Sequence, residues 1–167
     1  MYNELTEVDI RKMQEEIDYR MKVVRPKCVE DLATAAAFGD RSENYEYKAA
    51  KQAQRENMSR MRYLEGMIKS ARVISDRSAQ DEVGLFDRVE IYLPEDDETE
   101  EIRVVTTVRC DPRRGLISKE SPMGRQLLGK KAGDHFTVHV DDRISYPAEI
   151  RSITKTEDDG SAPLLSY

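Results

Sequence analysis

The chain has no tryptophan and only three phenylalanines, so aromatics make up 7% of its 167 residues. That excludes one large aromatic core and leaves material for a helical seam and a small sheet. It has two cysteines, Cys28 and Cys110, without metal-type spacing. A disulfide framework is therefore not expected, and reduced thiols are. No apolar run approaches the ~20 residues that span a bilayer. The first residues, Met-Tyr-Asn-Glu-Leu-Thr, lack a basic-then-apolar signal. A soluble, cytoplasmic protein is expected. There is no glycine-rich phosphate loop, nucleophile elbow or Cys-His pairing. His135 and His139 are four residues apart on an expected strand with no third ligand nearby, which argues against zinc. No self-contained active site remains.

Charge is abundant instead. Charged residues make up 36% of the chain, and the net charge is -6. The distribution is uneven. Residues 1–74 hold 14 Lys or Arg against 13 Asp or Glu, and the acidic excess lies downstream.

Two long helical patterns open the chain. Ile10, Met13, Ile17, Met21, Val24 and Cys28 recur at steps of three and four, predicting a helix over about 6–38. Pro26 removes an intrahelical donor and predicts a kink near Arg25. Gly39 supplies a left-handed stop. In the second helix, over about 42–74, Tyr47, Ala50, Gln54, Asn57, Met61, Leu64, Ile68 and Ala71 form an a/d seam. Antiparallel helices of about 30 residues make an arm of roughly 45 Å. Residues 75–85 read as a polar linker. The period then changes to two at 86–93, Ile102/Val104, Phe136/Val138/Val140 and Ile150/Ile153. Ser121 to Lys130 reads as a short helix entered by Ser-Pro. The expected class is α+β: an antiparallel coiled coil over 1–75, a linker over 76–85, a small antiparallel sheet domain with one helix over 86–155, and an acidic, disordered tail over 156–167.

The turn between the two helices reads Gly39-Asp40-Arg41-Ser42-Glu43-Asn44-Tyr45-Glu46-Tyr47. Asp40-x-x-Glu43 ahead of a helix is a capping box in form, with Asp40 as N-cap. The same two carboxylates at the end of an arm are also hard oxygen donors for Mg²⁺, which would need further ligands from a partner. Behind them Lys48, Lys51, Arg55 and Arg62 fall on one helical stripe, fit either to be a solvated face or to track a nucleic-acid backbone.

The tip sequence, the run from Arg55-Glu56 to Arg60-Met61-Arg62-Tyr63-Leu64, and Ser121-Pro122-Met123-Gly124-Arg125-Gln126-Leu127-Leu128-Gly129 together resemble the bacterial Gre transcript-cleavage factors. The likeness covers nearly the whole chain in order. It implies a coiled coil followed by an FKBP-like domain with no proline-isomerase role. It further implies an elongation factor that is not an enzyme alone. Such a factor enters the secondary channel of RNA polymerase as a monomer and stimulates the polymerase's own cleavage of backtracked RNA at the nascent 3′ end. By the resemblance, Asp40 and Glu43 are the catalytic pair that holds a Mg²⁺ shared with the polymerase, and Asn44 and Tyr45 support the tip. Lys51, Arg55, Arg60 and Arg62 form the RNA-binding patch, and Glu120, Ser121 and Pro122 the polymerase-docking loop. The chain departs from the family in its Leu5-Thr6-Glu7 start, the bulky Phe38 and Tyr45, and the acidic tail. These departures keep open a relative that occupies the channel without promoting cleavage. A structural coiled-coil adaptor unrelated to transcription is the rival from another class. Arg41-Ser42 and the arginine-rich second helix are GreB-like, whereas the alanines near the tip and Glu46-Tyr47 are GreA-like.

Overall fold

The computed structural model describes residues 3–39 and 44–166. The chain divides into two compact units. The first comprises residues 1–3 and 10–72, and the second residues 4–9 and 73–167.

The first unit is a helical hairpin. Its ascending limb is α1 (Glu7–Tyr19), a π-helical turn (Arg20–Val24) and α2 (Arg25–Ala36). The break has a covalent cause. Pro26 has no N–H to give, and its ring crowds the preceding turn. The chain absorbs this by widening the turn before it, and the Arg25 amide reaches back five residues to the Arg20 carbonyl. The expected kink is thus a π-bulge, and it shifts the apolar stripe. Met13, Ile17 and Cys28 are buried as expected, but Met21 is turned outward and Arg20 takes the inward position. The descending limb is α3 (Tyr45–Lys69). Asn57, Met61 and Leu64 are buried, with Tyr47, Ala50, Gln54 and Ile68 half-buried on the same face. Every position of the expected seam up to Ile68 therefore faces inward, but the helix ends at Lys69, short of the expected 74, and Ala71 lies in a strand.

The short strands β1 (Asn3–Leu5) and β2 (Ala71–Val73) form a two-stranded sheet.

The second unit is built on a five-stranded sheet of β3 (Arg88–Leu93), β4 (Glu98–Val105), β5 (Leu116–Ser118), β6 (His135–His139) and β7 (Ser145–Thr154). The spatial order is β5-β4-β3-β7-β6. All neighbours are antiparallel except β4 and β5, which run parallel, so the sheet is mostly antiparallel, as expected. The alternation predicted from sequence places Val89, Ile91, Ile102, Val104, Val138 and Ile150 in one core. Leu127 of the single short helix α4 (Pro122–Leu127) is fully buried in that core. Phe86 joins it with φ +67, a left-handed conformation that is costly for a bulky residue. Its amide donates to the Val104 carbonyl at 2.8 Å, and its own carbonyl accepts from the Thr156 hydroxyl.

The tail differs from expectation. Composition alone predicts disorder beyond Thr156, yet Ala162 is buried in the core and the Leu165 amide donates to the Val108 carbonyl at 2.6 Å. The cause is Arg109, a fully buried guanidinium. It donates to both oxygens of Asp158 (2.7 and 2.9 Å), to Asp9 Oδ1 (3.0 Å) and to the Ala162 carbonyl (2.6 Å). Its plane stands 4.8 Å from the Phe86 ring centroid. Burial opposes its charge, but the paired carboxylates outweigh that and hold its pKa above the ordinary arginine value. One arginine therefore draws both the 4–9 strap and the tail onto the sheet domain. Asp9 is further fixed by a reciprocal cap with Thr6, whose amide donates to the carboxylate (2.9 Å) and whose hydroxyl accepts from the Asp9 amide (3.2 Å).

Candidate functional site

The hairpin end is closed by Asn44. Its side-chain oxygen accepts from the Tyr47 amide at 3.0 Å, which makes it the N-cap of α3. Its side-chain nitrogen donates to the Ala35 carbonyl at 2.7 Å, satisfying an end group of α2. One amide thus ties the last turn of one helix to the first turn of the other. Gly39 has φ +123, a region that L residues with a Cβ rarely enter. The capping of α3 assigned by sequence to Asp40 is performed by Asn44, four residues later. Asp40 and Glu43 themselves lie outside the described residues. Phe38 and Tyr45, on the two sides of that segment, are 76% and 83% exposed.

Behind the tip, Lys48, Lys51, Arg55 and Arg62 are all exposed, and the Lys51 ammonium stands 5.9 Å from the Tyr47 ring centroid. Arg60 does not join them. It is buried, and it grips Glu16 across the hairpin through two hydrogen bonds, Nε to Oε1 (2.8 Å) and Nη2 to Oε2 (3.1 Å). Arg20 donates to the same Glu16 oxygen (2.9 Å) and to Asn57 Oδ1 (3.1 Å). The Arg60 hydrogen bond holds the Glu16 carboxyl below the ordinary glutamate range, with Arg20 helping and burial opposing. Four polar residues therefore lock the middle of the seam, a device that sets register more than it adds stability. The expected RNA patch keeps Lys51, Arg55 and Arg62 on its surface and loses Arg60 to the arm's interior. Periodicity holds the signal: Arg60 precedes the seam residue Met61 and lies three residues after Asn57, and Glu16 lies three after Met13.

The expected docking loop sits at the start of α4. The Ser121 hydroxyl caps that helix, accepting from the Gly124 amide at 3.0 Å and donating to the Ser118 carbonyl at 2.6 Å. A Cβ at Gly124 would meet that same carbonyl oxygen at 2.1 Å, so only glycine fits. Pro122 is exposed at the first turn. Glu120 is exposed and pairs with Lys119 (3.1 Å) and Arg125 (3.2 Å), and these bonds, that from Lys119 first, lower its pKa. Lys119 is also paired with Glu4. Glu120, Ser121 and Pro122 thus form one rigid corner. Among the described residues no group of three or more His, Cys, Asp or Glu side chains gathers to hold a metal, and no described helix is long and apolar enough to cross a membrane.

Comparison with known proteins decides the family. Residues 3–73 match the model described as the N-terminal domain of the GreA/GreB transcription elongation factors, and residues 78–155 match the one described as their C-terminal domain. The chain belongs to the GreA/GreB transcription elongation factor family. Among its Gre relatives, the transcription elongation factor GreA of Mesoplasma florum is 37% identical over 150 residues, covering 89% of this chain and 96% of that protein. GreA of Bacillus subtilis is 40% identical over 131 residues, covering 78% and 83% respectively. A solved Gre-related structure, the GreA factor homolog 1 (Gfh1) protein of Thermus thermophilus, aligns over 93% of this chain and all of its own at 21% identity, with a TM-score of 0.42.

Proposed function

We propose that this Gre factor inserts its hairpin into the secondary channel of bacterial RNA polymerase. There it stimulates the polymerase's own cleavage of backtracked RNA, releasing a 3′ fragment so that elongation resumes. The chain works as a monomer and supplies no complete active site of its own. The observation that carries this reading is the division of labour at the hairpin end. Asn44 takes over both the cap of α3 and the tie to α2. Asp40 and Glu43, four residues and one residue before it, are then not required to start the helix. Two carboxylates whose N-cap role is taken by Asn44 suit charge delivery. In this reading their oxygens complete the coordination of a Mg²⁺ that the polymerase also holds, an ion that stabilises charge during phosphodiester hydrolysis. Lys51, Arg55 and Arg62 track the extruded RNA by charge. The rigid corner at Glu120, Ser121 and Pro122 docks on the polymerase surface.

The test is a stalled, backtracked elongation complex supplied with Mg²⁺. Wild-type protein is expected to produce short 3′ RNA fragments and restart elongation. Asp40→Asn combined with Glu43→Gln is expected to bind the polymerase and leave the transcript intact. Cleavage by the double variant at the wild-type rate would overturn the reading.

A further inference from the structure

The sheet domain carries a second, unassigned feature. A cavity of about 160 Å³ opens between the first residue of β3, the middle of β4, the turn before β5 and the folded-back tail. Three guanidinium groups line it: Arg88, Arg103 and Arg114. The only carboxylate in its wall is Glu101.

These charges are not neutralised by one another. Among the described residues neither Arg88 nor Arg114 forms an ion pair, and Glu101 pairs with none of the three. Arg103 spends one terminal nitrogen on the Thr156 hydroxyl at 3.3 Å, while its Nε is buried with no hydrogen-bond partner. A buried, unsatisfied guanidinium nitrogen is costly, and native structures keep few. Three like charges sharing one concavity add mutual repulsion. An anion in the cavity removes that repulsion. Asp159, the nearby acidic group of the tail, is engaged by Ser161 through hydrogen bonds that lower its pKa, with Arg103 a lesser influence.

The composition of the wall restricts the anion. It contains no aromatic side chain, and only Leu116 and Ala162 are apolar, so nothing there stacks on a base. Guanidinium forks suit tetrahedral oxyanions, to which they donate pairs of hydrogen bonds. The volume suits a phosphate or diphosphate group. The remaining wall is Ser161 and Ala162 of the tail, held in place because Arg109 donates to the Ala162 carbonyl. The site exists because the tail is folded.

We propose that this cavity is an oxyanion site that takes a phosphate or diphosphate group. All its lining residues belong to the second unit, and it does not rest on the transcript-cleavage reading. Ligand binding there favours the folded tail by mass action.

The experiment is calorimetric titration of the full chain with inorganic pyrophosphate, inorganic phosphate and a nucleoside triphosphate at constant ionic strength. Pyrophosphate is expected to saturate one site and to raise the melting temperature. Arg88→Gln and Arg114→Gln, both at exposed positions that leave the fold intact, are each expected to weaken binding about tenfold. Arg103→Lys, which keeps the charge but loses the fork, is expected to weaken it similarly. Arg11→Gln, at an exposed hairpin position outside the cavity, is expected to leave pyrophosphate affinity unchanged. A nucleotide that binds no tighter than pyrophosphate supports recognition of the phosphate group alone. Unchanged affinity in Arg88→Gln and Arg114→Gln would overturn the proposal. So would a short single-stranded RNA that outcompetes pyrophosphate and loses affinity in the same variants, because the cavity would then be part of a nucleic-acid track.

Discussion

Asn44 donates a 2.7 Å hydrogen bond to the carbonyl of Ala35, joining the two limbs of the hairpin immediately behind the acidic turn. The same side chain caps α3 at Tyr47. Replacing it with alanine removes a cap, worth about 1 kcal/mol, and leaves the Ala35 carbonyl to its longer bond from the Phe38 amide at 3.3 Å. Asn44→Ala is therefore expected to cost about 1–2 kcal/mol of stability in chemical denaturation followed by circular dichroism. Asn44→Asp keeps the capping oxygen and loses the donor, so it should fall between wild type and alanine. Equal stability of all three proteins would show that the tie carries no energy.

Asp40 provides the contrast. Because α3 is capped by Asn44, Asp40→Asn and Asp40→Ala should both melt within about 0.5 kcal/mol of wild type, the range of surface changes away from caps and cores. A loss with Asp40→Ala as large as that with Asn44→Ala would return the carboxylate to a capping role and weaken the case for its chemistry.

The hairpin was largely readable from the residues, and the reason is periodicity. Each seam position of α3 from Tyr47 to Ile68 faces inward because a three-four repeat leaves a helix no other way to bury its apolar residues. Met21 was misplaced because a π-turn adds a residue to the count, and the size of the correction that Pro26 forces depends on how the turn before it relaxes. Arg60 was misread because charge type was taken as location. Its partner Glu16 is 44 residues away, and such pairings are not visible in local sequence. The folded tail is hidden for a similar reason: composition averages over residues, and the buried arginine that anchors the acidic segment lies 49 residues from Asp158. The tip signature was legible as a motif, but Asn44's double bond needs both limbs in place to be seen.

The reassignment of Arg60 separates two arginines that look equivalent in sequence. Arg60→Ala leaves Glu16 half-buried with Arg20 as its remaining partner and is expected to destabilise the protein by about 2–4 kcal/mol. Arg55→Ala should leave stability unchanged. In the cleavage assay Arg55→Ala should reduce activity and flatten its dependence on salt, because one phosphate contact fewer releases fewer counterions. Loss of stability in Arg55→Ala, or none in Arg60→Ala, would reverse the assignment.

Glu16 also gives the arm a pH dependence of defined sign. Its folded pKa lies below the reference value of 4.5, with the Arg60 hydrogen bond as the leading cause. A depressed carboxyl pKa means that the unfolded chain binds the proton more readily than the folded one. The contribution is complete above the unfolded value and is lost as the pH falls through the lower folded value. Stability measured at decreasing pH should decline over that window in wild type, and Glu16→Gln should show a smaller decline from a lower starting point. An unchanged slope in Glu16→Gln would place the acid sensitivity in other carboxylates.

Arg109 and Asp158 allow the folding of the tail to be measured directly. Both side chains are almost fully buried, and Asp9 shares the same guanidinium. Arg109→Met strands two buried carboxylates and is expected to cost about 3–5 kcal/mol. Asp158→Asn keeps the shape but removes one of two balancing charges, and it should cost less. If the two residues act through one another, combining the changes costs less than the sum of the single losses, because the second change removes a partner already gone. The tail itself reports the same coupling. Amide exchange at Leu165, whose amide is held by the Val108 carbonyl, should accelerate in Asp158→Asn while the exchange of β3 and β7 amides stays slow. If Leu165 stays as protected as in wild type, the Arg109–Asp158 pair is not what holds the tail, and the Ala162 contacts are sufficient.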